Sequence, residues 1–154
     1  MQRTQVLDRA VEGARFGPPT GSSETSTAHA VARFERRRTR ICSEYANLLS
    51  DLPALDELGV FEDEGFSNIA EWVSARVGNS VSQAWRWVRA ARVMRELRFI
   101  PEALRQGELC LDKVLELTRF ATPHDEERLL RWAKRSSVTQ IRNRADREKR
   151  ASLE

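Results

Sequence analysis

Apolar side chains recur at helical spacing along most of the chain, and no stretch alternates with the period of two that a half-buried strand requires. Val31, Phe34, Ile41, Tyr45, Leu48, Leu52 and Leu55 follow one another in steps of three and four, with Arg38 in the one vacant slot. The pattern predicts a long amphipathic helix over 27–58 with an a/d seam, which must pack on its own chain or on a second one. Pro53 falls inside this run. Proline removes a backbone donor and clashes with the preceding turn, so a kink or a fresh helix start is expected near Ser50–Pro53. Gly59 ends the run, and Glu62, Asp63, Glu64 and Gly65 read as an acidic loop. Upstream, Val6, Leu7, Ala10 and Val11 fit a short amphipathic helix within residues 1–12. The Gly, Pro and Ser residues between Gly13 and Ser23 are linker chemistry, so residues 1–26 are expected to be mobile.

The rest reads as a series of capped helices. Ser67 is placed to cap a helix carrying Ile69, Ala70, Trp72, Val73 and Val77, stopped by Gly78. Ser80 and Gln83 form a capping-box pattern for a helix to about Arg98. Its core face is expected to hold Trp87, Ala90, Val93, Met94 and Leu97. Pro101 and Gly107 bracket a short helix, and Leu109 to Phe120 carries another. Thr122, Pro123, His124 and Asp125 read as a cap, a first-turn proline and acids that favour the helix dipole. Ser137 and Gln140 repeat the capping box before a final basic helix. The expected class is all-α: a long N-terminal helix followed by a multi-helix bundle over 66–150.

Composition narrows the function classes. The chain has 154 residues, 40% hydrophobic and 32% charged, which suits one thin helical domain better than a deep-cored α/β enzyme. No apolar run is long enough to span a membrane and no secretory h-region is present, so a cytoplasmic protein is expected. Cys42 and Cys110 are expected to be free thiols, and with His29 and His124 they show no zinc-ligand spacing. No phosphate-binding glycine loop and no nucleophile motif occurs. Neither an enzyme nor a cofactor is expected. The charge is uneven: residues 1–77 carry 9 basic and 12 acidic side chains, and residues 78–154 carry 17 and 11. An anionic partner is therefore sought on the second half.

The segment from Ile69 to Val93 has the layout of a helix-turn-helix, with Gly78 at the corner. Asn79 departs from that layout, since many such motifs place an apolar residue there. In the second helix Arg86, Arg89, Arg92, Arg95 and Arg98 recur at every third position. Ser80, Ser82, Gln83, Arg86, Arg89 and Arg92 are the candidate DNA-binding residues: arginine can hold guanine, glutamine adenine, and serine phosphate. The alternative is a solvated arginine face with Glu96 pairing with Arg92. Trp85 shares this face, either stacking on a base or packing on another helix. Trp72, Trp87 and Trp132 are assigned to the core. Arg142, Arg144, Arg147 and Lys149 form a second basic cluster, suited to phosphate backbone or simply to solvent at a helix C-terminus.

From about Arg33 to Lys149 the chain resembles the actinobacterial 13E12 repeat family, a domain of unknown function often found upstream of an HNH endonuclease module. The carrying residues are Gly65 to Trp72, Gly78-Asn79-Ser80 with Ala84, Val88-Arg89 and Ala91-Arg92, Gly107 to Cys110 with Lys113-Val114, and Ala121-Thr122-Pro123. The family usually has serine at the position of Cys110. Residues 66–145 are also similar at the level of fold to the helical DNA-binding part of ParB/KorB-type partition proteins. These resemblances imply a recognition region from Ser80 to Arg89. Nuclease chemistry does not carry over, because the paired histidines of such modules have no counterpart in His29 and His124.

The leading expectation is a DNA-binding helix-turn-helix domain acting on double-stranded DNA, as a regulator or as the targeting half of a larger nuclease-type protein. The alternative is a helical interaction module without nucleic-acid binding, in which Phe34, Ile41, Tyr45 and Leu48 form the seam of a homodimer.

Overall fold

A computed structural model describes residues 20–154. The expected helix within residues 1–12 and the linker as far as Pro19 lie outside the described residues. Those described are all-helical: α1 (Thr20–Leu58), α2 (Val60–Asp63), α3 (Ile69–Val77), α4 (Val81–Met94), α5 (Phe99–Arg105), α6 (Leu111–Leu117), α7 (Glu126–Lys134) and α8 (Val138–Ala151). None of these helices is long and apolar enough to cross a membrane. The chain divides into two units, one ending at Arg33 and one running from Phe34 to Glu154. The described part of the first is helical, and its side chains from Ser23 onward are exposed. Helix α1 begins at Thr20, inside the expected linker, and runs unbroken through Pro53. A proline's fixed φ is itself helical, so the cost is one donor and a local clash. Burial of Leu52 and Pro53 offsets that cost.

In the second unit α1 buries Cys42, Ala46, Leu49 and Leu52, while Tyr45, Leu48 and Leu55 are half-buried. This face is rotated from the expected seam, because the small residues Cys42 and Ala46 let the bundle approach closely. Arg38, the vacant slot, donates from Nη1 to Gly107 O at 2.9 Å. Gly107 has φ +74°, and a Cβ built there would lie 2.9 Å from Thr39 Oγ1. The α5–α6 corner therefore sits directly on α1, as only glycine permits.

Local signals placed several helix ends. Ser80 Oγ accepts from Gln83 N at 3.1 Å, and Ser137 with Gln140 makes the full capping box. Other ends differ from expectation. Asn68, not Ser67, caps α3, with Oδ1 accepting from Glu71 N at 3.0 Å. Helix α4 stops at Met94 rather than near Arg98. The loop expected at Glu62 is partly the short helix α2, and the helix expected from Leu109 is confined to Leu111–Leu117. Thr122 to Asp125 form a turn of their own ahead of α7, in which Asp125 Oδ1 accepts from Thr122 N at 2.8 Å. Glu126 opens α7, yet its buried carboxylate serves α5. It accepts from Ile100 N at 2.6 Å and Arg98 N at 3.0 Å, filling the donors left open at that helix start. Trp87 is buried, whereas Trp72 and Trp132, expected in the core, are half-buried at its edge. Cys42 and Cys110 are free thiols.

Candidate nucleic-acid interface

Helices α3 and α4 are joined by Gly78, Asn79 and Ser80. Gly78 takes the left-handed conformation (φ 82°, ψ 14°) and donates to Ser74 O at 2.9 Å. Ser74 Oγ donates to Asn79 O at 2.6 Å, tying the turn back onto α3. The Asn79 carboxamide is buried, and neither of its polar atoms has a partner among the described residues. Beyond the turn, α4 buries Ala84, Trp87, Val88, Ala90, Ala91 and Met94. Its outward strip holds Val81, Ser82, Arg89 and Arg92, flanked by half-buried Gln83, Trp85 and Arg86.

The arginines of this strip are not equivalent. Arg92 pairs with Asp56 of α1 at 2.8 Å, rather than with Glu96, and Arg95 pairs with Glu57 at 2.7 Å. Arg86 donates to Gln83 Oε1 at 3.2 Å and to Glu116 Oε1 of α6 at 2.6 Å. Arg89 is exposed, makes no ion pair among the described residues, and lies 6.0 Å over the Trp85 ring. That distance is the outer limit of a cation–π contact, so Arg89 is free to meet a ligand.

Glu116 is absent from the sequence-predicted site residues, although an acid within the otherwise apolar stretch Val114–Leu117 is a signal. Its side chain is only 2% exposed and holds three guanidinium groups. Arg119 bonds Oε2 at 2.7 Å, while Arg86 and Arg142 share Oε1 at 2.6 and 3.0 Å. Arg119 also reaches Asp146 of α8 at 2.6 Å. Burial pushes the Glu116 carboxyl up, but hydrogen bonds from Arg119 and Arg142 and the charge of Arg86 outweigh it, so the carboxyl is held below its ordinary value. Three arginines set against Glu116 and Asp146 leave the cluster one positive charge in excess.

No known protein family, curated protein or solved structure matches the chain. The arrangement of charge must therefore carry the reading. Between α4, α6 and α8 lies a groove of about 790 Å³ with Ala90, Val93, Leu115 and Phe120 among its apolar lining residues. Arg86 and Arg89 of α4 line it together with Arg142 and Lys149 of α8. Two residues from each of the two basic clusters thus meet in one groove. The cluster on α8 itself divides. Arg144 lies 4.8 Å over Trp132 and 5.5 Å over Phe120, packed as part of the structure. Arg147 lines a separate shallow groove beside Trp132 and Arg150. Lys149 and Arg147 make no ion pair among the described residues. Of the seam residues, Phe34 is 64% and Ile41 56% exposed, while Tyr45 and Leu48 are half-buried. Tyr45 meets Trp87 edge to face, with ring centres 5.7 Å apart.

Proposed function

We propose that residues 66–150 are a helix-turn-helix domain that binds double-stranded DNA, as a regulator or as the targeting half of a larger nuclease-type protein. One observation carries this reading: Arg89 of α4 and Lys149 of α8, neither held in an ion pair among the described residues, line a single groove beside a carboxylate that holds three arginines. Ser82 and Arg89 are the residues on the open strip of α4 suited to base edges. Lys149 supplies a sequence-independent phosphate contact, and Arg142, held by Glu116, adds charge to the groove beside it. Arg86 and Arg92 act mainly through position, since carboxylates already hold them. Binding of random duplex DNA, with an affinity that falls steeply with salt, tests the proposal.

A second reading, an interaction module built on α1, is favoured by the exposure of Phe34 and Ile41.

A further inference from the structure

On α1 the exposed Phe34 and Ile41 and the half-buried Leu48 are related by an internal symmetry. Phe34, Ile41 and Leu48 stand seven residues apart, and at about 100° per residue they drift only about 20° per step around the helix. Phe34 therefore lies about as far to one side of Ile41 as Leu48 lies to the other. Reversing the helix end for end about Ile41 superposes Phe34 on Leu48. A groove of about 420 Å³ on this face is lined by Arg37, Ile41, Glu44 and Leu48 among others. Arg37 and Glu44 are also one heptad apart, on the flank turned away from the buried Cys42, Ala46 and Leu49. Neither makes an ion pair among the described residues.

We propose that this face of α1 packs antiparallel on α1 of a second copy of the chain, about a two-fold axis beside Ile41. The pairing sets Ile41 on Ile41, Phe34 on Leu48, and Arg37 beside Glu44 twice over. In an antiparallel pair like flanks face each other, so the basic end of each flank meets the acidic position of the other. A parallel pair would instead turn the Arg37–Glu44 flank of one helix toward the flank that its mate buries against its own bundle. The apolar seam spans about 21 Å at 1.5 Å per residue, so the dimer is a weak one. The proposal deepens the second reading of α1. Assembly is measured without nucleic acid, so its failure leaves the DNA-binding reading untouched.

The test uses the full chain carrying Cys110→Ser, which removes the exposed thiol and keeps the buried Cys42. Chains with Phe34→Cys mixed with chains with Leu48→Cys should cross-link to each other under mild oxidation. Phe34→Cys chains alone should not. In sedimentation, Glu44→Arg should weaken the dimer about tenfold, and adding Arg37→Glu should restore it. Cross-linking of Phe34→Cys chains to themselves would overturn the proposal. So would a monomeric parent at high micromolar concentration, or a dimer indifferent to the charge reversals.

Discussion

Arg86 of α4 donates to the buried carboxylate of Glu116 on α6 at 2.6 Å, fixing the second helix of the turn to the bundle behind it. Arg86 therefore positions α4 as well as adding charge to the groove. Arg89, one turn further along the same helix, is the residue left open.

The Glu116 cluster should make stability depend on pH. The folded carboxyl is held below the ordinary glutamate value of about 4.3. A lowered folded value means that the stabilisation is present above about pH 4.3 and is lost as the pH falls from there through the folded value. Glu116→Gln should cost about 1–3 kcal/mol at pH 7, because the three arginines still reach water. Denaturant melts of parent and variant should draw together as the pH is lowered below about 4. A constant difference from pH 7 to pH 3 would contradict this account of the cluster.

Asn79 offers the opposite case. Its buried carboxamide has no partner among the described residues, while its backbone oxygen is held by Ser74. Asn79→Val removes the unpaired group and leaves the backbone bond in place. It should stabilise the fold by about 1 kcal/mol, read as a higher midpoint in urea. A lower midpoint would mean that the amide is satisfied in solution.

What could be read from the sequence was local. Gly78 and Ser80 fixed the α3–α4 corner through a backbone conformation and a cap, both decided within a few residues. Ser137 and Gln140 did the same for α8. Apart from Arg119, the partners of Glu116 and Glu126 lie 26 to 30 residues away, where spacing carries no signal for an ion cluster or a remote cap. The face that α1 buries is turned from the a/d seam for a different reason. Large apolar residues draw attention to Ile41, whereas close packing selected the smaller Cys42 and Ala46. Pro53 reads locally as a break, but the helix is held by core packing on either side of it.

Gly107 should be the least replaceable of the turn glycines. Alanine there meets Thr39 Oγ1 at 2.9 Å and Thr39 Cα at 3.1 Å, and it must also adopt φ +74°. Gly107→Ala should cost about 2–4 kcal/mol, the sum of backbone strain and overpacking. At Gly65, where φ is +80° and nothing lies within 4 Å, the same change carries only the backbone cost. It should cost about 1–2 kcal/mol in a denaturant melt. Equal losses at the two sites would show that the α5–α6 corner does not press on α1.

The most direct test of the central claim is fluorescence anisotropy of labelled random-sequence duplex DNA, titrated with the full chain at low and moderate salt. The parent should bind, and a fourfold rise in salt should weaken it about a hundredfold if four cations contact phosphate. The Arg89→Ala, Lys149→Ala double variant should stay folded, because neither side chain holds a carboxylate among the described residues. It should bind more weakly, with a salt slope lower by about one for the lost Lys149 phosphate contact. A parent that fails to bind at about 100 µM, the weak end of non-specific binding, would contradict the account, as would a folded double variant that binds with the parent's affinity and slope.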